Sequence, residues 1–312
     1  MSRAACSILE DENMMKRKKF WALLLALAMV LSLAACGGNG GNSSGSGDSG
    51  SPAAAPEDPK TDGEGSSQAD AESDLAYIQG KGTLVVGMTD FAPMDYRDAS
   101  GNWIGFDADM ASAFAESLGV QVEFQEITWD YKVMELNAKS IDCVWNGMTL
   151  NDEVKAAMDT GNAYCLNAQV LVVPADKAAD FESLTSLEGL NVAVESGSAG
   201  EDAAEALGAS TTAVAKQADA LMEVSAGTAD AAVIDLLMAG AMIGEGTNYA
   251  NLTYTVNLNT AQGLESEEYG VGFRKGSDLA DAWNSFWAAA VADGSVLETG
   301  TAYGVQESLI LE

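Results

Sequence analysis

A unit of sixteen residues occurs twice in this chain, and it restricts the possible folds more than any other feature. The first copy runs from Val133 to Met148 (VMELNAKSIDCVWNGM) and the second from Leu221 to Leu236 (LMEVSAGTADAAVIDL). Met, Glu, Ala and Asp recur at the same offsets, and most other pairs are alike in kind. Each copy reads as the end of an amphipathic helix, a short turn, an Asp and then an apolar strand. Each strand runs into a polar residue, Asn146 in one copy and Asp235 in the other. Ligands of open α/β sheets bind at the carboxyl ends of the strands. The repeat therefore predicts two similar α/β lobes, each offering a strand edge to a shared cleft. A chain of 312 residues is long enough for two such cores.

The rest of the folded body alternates in the same way. Gly82 to Met88 predicts a buried strand, and Gly105 opens a helix with Met110, Phe114 and Leu118 on one face, ended by Gly119. Val120 to Phe124 alternates as a half-buried strand does. After Tyr164 the pattern restarts: Gln169 to Val173 as a strand crossing between lobes, Leu190 to Val194 as the counterpart of the first strand, and Leu252 to Val256 as the return crossing. Ser277 is placed to cap a last helix with Leu279, Trp283, Phe286 and Trp287 inward. Strands alternating with helices predict parallel sheets covered on both faces.

Composition removes several classes of function. A net charge of −32 opposes nucleic acid as a partner and docking on anionic membranes by charge. The chain has no His, which removes the commonest general base and His-ligated metal sites. The four Cys fit no zinc spacing, and neither a GxxxxGK phosphate loop nor a GxGxxG fingerprint is present. No cofactor and no metal are expected.

The front of the chain is a separate matter. Lys16 to Lys19 precede an apolar run from Phe20 to Leu31, which reads as a signal peptide and not a membrane span. The run ends Leu33-Ala34-Ala35-Cys36, which resembles a bacterial lipobox and implies a lipid on Cys36. Residues 1–35 are then a signal peptide, with Met14 or Met15 fitting a start better than Met1 does. Residues 36–74, rich in Gly, Ser, Asp, Glu and Pro, form a tether without the apolar pattern a fold requires.

Taken in order, Gly82 to Asp90, Gly105 to Asp107, Ile141 to Thr149, Gln169 to Val173, Val192 to Glu201, Asp230 to Asp235 and Tyr269 to Lys275 resemble the extracellular solute-binding proteins of polar-amino-acid ABC importers. The resemblance implies the type II periplasmic-binding fold: α/β, two Rossmann-like lobes joined by two crossing strands. Lobe 1 would be 75–168 plus 259–312, and lobe 2 would be 169–258. It implies a monomeric, non-enzymatic protein on the extracellular face of the membrane. That protein would close on a small solute and deliver it to ABC permease subunits. Carried over position by position, ligand contacts fall on Asp90, Phe91, Trp129 (stacking), Asn146, Gly147, Thr149, Gly197, Ser198 (backbone donors) and Asp235 (the ammonium grip).

The chain departs from that pattern at one point. Val154 stands where relatives place an Arg that clamps the ligand carboxylate, and Ala199 where they place a Thr. Glu195 adds a carboxylate to the same pocket. With that clamp gone, the expected ligand is cationic or zwitterionic: a basic amino acid, an amine, or a derivative with its carboxylate masked. Lys155 is the cation most able to substitute. The alternative function is a dehydratase-like enzyme on the same fold, with Glu195 or Glu201 as acid or base. Trp145, Trp283 and Trp287 are expected in the core, and Asp142 and Asp230 as turn formers. Cys143 and Cys165 are open to pairing in an oxidising location, at a distance sequence does not give.

Overall fold

The computed structural model describes residues 73–312 apart from 264–265. The signal peptide, Cys36 and the tether up to Glu72 lie outside the described residues. The fold begins at Ser73, whose hydroxyl caps the first helix by accepting from the Ala76 N–H at 3.0 Å. Asp74 is buried there because its carboxylate receives Arg274 Nε at 2.9 Å.

The first part of the chain forms α1 (Asp74–Lys81), β1 (Thr83–Met88), the small hairpin β2 (Tyr96–Arg97) and β3 (Trp103–Ile104), α2 (Phe106–Ser117) and β4 (Gln121–Glu126). It continues as α3 (Lys132–Asn137), β5 (Cys143–Thr149), α4 (Asp152–Ala157), β6 (Asp159–Thr160) and β7 (Cys165–Asn167). The second part forms β8 (Gln169–Pro174), β9 (Asn191–Glu195), α5 (Ala199–Ala206), β10 (Ser210–Val214), α6 (Gln217–Ala226), β11 (Ala231–Asp235), α7 (Leu236–Met242) and β12 (Leu252–Asn257). The chain then returns through α8 (Leu258–Ala261) to β13 (Glu267–Phe273) and closes with α9 (Leu279–Asp293) and α10 (Ser295–Tyr303).

Two sheets result. The first has the order β4-β1-β5-β13-β6, with β7 also paired to β13; the second has the order β10-β9-β11-β8-β12. In each, three strands are parallel, β4, β1 and β5 in the first and β10, β9 and β11 in the second; β10 is a strand that the sequence pattern did not mark. The remaining strands differ from the all-parallel expectation: β13 runs antiparallel to β5, and β8 antiparallel to β11 and β12. The reason is connectivity. These strands arrive from the other lobe and not from a covering helix, so no right-handed crossover imposes parallel direction. Only Ala168 separates β7 of the first sheet from β8 of the second.

Both sheets bury apolar side chains on both faces. Val170 and Val172 belong to one cluster and Leu171 and Val173 to another, as period-two alternation requires. In the first sheet Trp145 is fully buried against Phe114 and Trp283, and Trp283 stacks on Trp287 at 5.2 Å between ring centroids. These tryptophans are core, as their spacing predicts.

Cys143 and Cys165 are free, buried thiols. Topology explains why. Both β5 and β7 pair with β13, so a strand lies between them; Cys165 stands opposite Tyr269, which stands opposite Thr149, six residues along β5 from Cys143. At about 3.3 Å per residue that offset is far beyond the roughly 7 Å Cα limit of a disulfide.

Candidate functional site

The carboxyl ends of β5 and β11 face one cleft with about 800 Å³ of empty space, part of it open to solvent. Eight of the ten residues expected to contact a ligand line it: Trp129, Asn146, Gly147 and Thr149 from the first sheet's side, and Glu195, Gly197, Ser198 and Asp235 from the second's. Asp90 and Phe91 do not. Phe91 is buried edge-on to Tyr269, and a Cβ on Gly147 would meet its ring at 2.3 Å. With φ at +54°, Gly147 fits there only because it has no side chain. Asp90 is half-buried; burial raises its carboxyl from its ordinary value, and Lys216 opposes that shift. Lys216, from the second lobe, pairs with Glu126 at the end of β4.

The internal hydrogen bonds change several expected roles. The Asn146 amide takes the Thr89 N–H and hydroxyl at 3.0 and 2.8 Å, and gives to Thr89 O and Asp95 Oδ2 at 3.0 and 2.8 Å. That uses both donors and both acceptor positions of an amide. Asn146 therefore holds the loop after β1 and has no free group for a ligand. Thr149 donates to Glu267 Oε2 at 3.2 Å, beside Gln169 Nε2 at 3.0 Å. Asp235 does not cap α7. Its Oδ1 receives Gln169 at 3.0 Å, Tyr269 at 2.7 Å and Asn167; its Oδ2 receives Gln217 alone. One acceptor position on Oδ2 remains open.

The expected backbone donors also move. Ser198 Oγ receives the Glu201 N–H at 3.2 Å, while Glu201 Oε2 receives the Gly197 N–H at 2.8 Å, a close variant of the capping box. The Ser198 N–H goes to Glu195 O. Glu201 is thus a capping residue, and the Gly197 and Ser198 donors are spent. Among the described residues, no hydrogen bond uses the N–H groups of Ala199 and Gly200.

Glu195 is buried, with its Oε1 unpartnered in the described structure. Burial, and then the nearby Asp235, push its carboxyl up to about 8. Burial, followed by Glu267, raises Asp235 to about 6.

Sequence reading missed Asp130, Glu153, Asp202 and Gln217 on the cleft, and above all Lys132. It lines the cleft with its ammonium 4.8 Å above the Trp129 ring, donating to Gly197 O at 2.9 Å across the cleft. Its signal was its position three residues after Trp129, one turn along the same surface. Trp129 thus already carries a cation on that face. Lys155, the cation expected to substitute for an Arg clamp, is exposed on α4 and does not line the cleft, while Val154 is buried at its wall. Lys132 is the only Lys or Arg among the cleft residues, against Asp130, Glu153, Glu195, Asp202 and Asp235.

Comparison with known proteins places this geometry. Residues 84–306 match the family described as bacterial extracellular solute-binding proteins, family 3. The arginine-binding extracellular protein ArtP of Bacillus subtilis (strain 168) is 30% identical over 232 residues, which is 70% of this chain and 83% of that protein. A crystal structure of a mutant of ArgBP from T. maritima superposes with a TM-score of 0.67 at 30% identity, covering 74% of this chain and 99% of that one. The ancestral amino-acid-binding protein AncCDT-1, described as a precursor of cyclohexadienyl dehydratase, gives 0.66 at 31% identity over the same shares.

Proposed function

The chain belongs to the bacterial extracellular solute-binding proteins of family 3, and from that premise we propose that it captures an amino acid or amino-acid-like solute of positive or zero net charge and delivers it to the permease subunits of an ABC importer. The observation that carries this reading is the cleft itself. Both lobes line it, and its side chains include five carboxylates and one ammonium. A cation enters such a site favourably, and an anion meets repulsion. We divide the body into lobe 1, 75–168 with 259–312, and lobe 2, 169–258, a division supported by the membership of the two sheets.

In this reading the protein is a monomer held at the outer face of the membrane by a lipid on Cys36 and the tether sequence that follows it. Mass spectrometry of the N-terminal peptide from native membranes tests the anchor: a lipidated Cys36 supports it, and a soluble mature protein starting elsewhere overturns it. Solute binding is tested by thermal shift and calorimetry with L-arginine and other basic and neutral amino acids. A ligand that binds only the folded state raises the melting temperature. No shift and no heat with any of them overturns the reading.

One observation favours a second reading. Glu195 lines the cleft, is raised to about 8 and has a buried oxygen without a partner, and a raised carboxyl is what a general acid requires. Loss of water from a carboxylated cyclohexadienol, followed by ultraviolet absorbance, tests it. Turnover abolished by Glu195→Gln would make the protein an enzyme.

A further inference from the structure

Resting on the proposed reading, we infer that Lys132 is the carboxylate clamp of this protein and Glu195 the ammonium acceptor facing it. The site is therefore built for an amino acid with both groups free. The argument starts from unused valences. The Lys132 ammonium has three donors. One goes to Gly197 O at 2.9 Å, and a second makes a long contact with Trp129 O at 3.4 Å; the third has no acceptor among the described residues. Its bond to Gly197 places it two residues from the first free N–H of α5. Ala199, which lines the cleft, thus adds a backbone donor at the positive end of a helix, on the lobe opposite that of the ammonium. Two donor groups stand at the cleft wall, and none of the five carboxylates forms an ion pair with Lys132. A ligand carboxylate is the anion that completes them.

The acceptor half is equally specific. Glu195 Oε1 is buried without a donor, and Asp235 Oδ2 has one position open. Burying a carboxylate oxygen with nothing to accept is costly unless a ligand supplies the donor. An α-ammonium does so. The expectation that the missing Arg at Val154 implies a masked carboxylate is thereby revised. The cation has moved from the start of α4 to the turn after Trp129, where the side chain reaches across to the other lobe. Glu153 and Asp202, also on the cleft, leave room for a cationic side chain.

The test uses the full chain and four probes: L-arginine, agmatine (no carboxylate), 5-guanidinopentanoate (no α-ammonium) and L-argininamide. Calorimetry should show arginine bound at least about tenfold tighter than agmatine or the amide, the usual worth of a charge-assisted bond. In Lys132→Met that preference, read as the ratio of the two affinities in the same variant, should collapse to within about twofold, and Lys132→Arg should restore it. Glu195→Gln should likewise erase the preference for arginine over 5-guanidinopentanoate. Melting curves identify any variant that has lost its fold, and the Arg variant then carries the decision. Retention of the full arginine-over-agmatine preference in a folded Lys132→Met overturns this inference alone. Failure of every basic and neutral amino acid to bind the unmodified protein overturns the proposed function, and this inference with it.

Discussion

Glu195 couples ligand chemistry to pH. Its carboxyl lies at about 8, far above an ordinary Glu, because burial penalises the charged form and Asp235 adds repulsion. The folded protein therefore holds a proton that the unfolded chain releases at lower pH. That contribution to stability is complete below the ordinary carboxylate range and is lost as pH rises through 8. Asp235, raised to about 6, acts in the same direction over a lower window. The ligand-free protein should melt at lower temperature at pH 8.5 than at pH 5. Glu195→Gln should melt a few degrees above the unmodified protein at pH 8.5 and match it at pH 5. A ligand ammonium reverses the preference, so affinity for L-arginine should weaken as pH falls from 8 to 6. Thermal melts and titrations at each pH check both statements; a Glu195→Gln melting temperature that tracks the unmodified protein across the range contradicts them.

At the level of elements, the repeat makes the same joint twice. Asp142 gives its N–H to Val85 O at 2.7 Å and receives the Val85 N–H on Oδ2 at 2.8 Å. Asp230 makes the same exchange with Asn191, at 2.9 Å in both directions. Each Asp thus fastens the start of its strand to the neighbouring parallel strand, more than the turn former its position predicted. The surroundings differ. Asp142 is fully buried and pairs with Lys81 and Arg274, while Asp230 is exposed. Removing one partner of a buried charge network leaves the others unpaired, at a cost of roughly 3–5 kcal/mol. Losing an exposed bond costs about 1 kcal/mol. Asp142→Ala should therefore destabilise several-fold more than Asp230→Ala in urea melts, and equal losses would show that burial does not set the cost.

Across the whole molecule, the lobes meet at Gly197. A Cβ there would stand 2.9 Å from Asp130 Cα and from Oδ1, and its φ of +71° already disfavours a side chain. Lys132 spans the same gap, and Lys216 with Glu126 spans another. Closure by a hinge needs surfaces that approach this closely. Gly197→Ala should hold the lobes apart, giving a larger radius of gyration by X-ray scattering and weaker L-arginine binding with faster release. Scattering and affinity identical to the unmodified protein would place the contact outside the closing motion.

The resemblance, carried over position by position, named eight of the cleft residues. Periodicity in the chain already determined two α/β lobes, the buried tryptophans and the helix ends, because apolar spacing and turn residues report local burial. It also marked Asp142 and Asp230 through the repeat. What it did not determine depends on partners distant in sequence. Tyr269, Gln217, Gln169 and Asn167 converge on Asp235 only after the sheets form, and Thr89 and Asp95 saturate Asn146 only when β1 and β5 pair. The absence of an Arg at Val154 was legible; its replacement by Lys132 was not. A cation's role depends on which surface lies opposite it, and the surface opposite Lys132 is the Gly197 turn, 65 residues away on the other lobe.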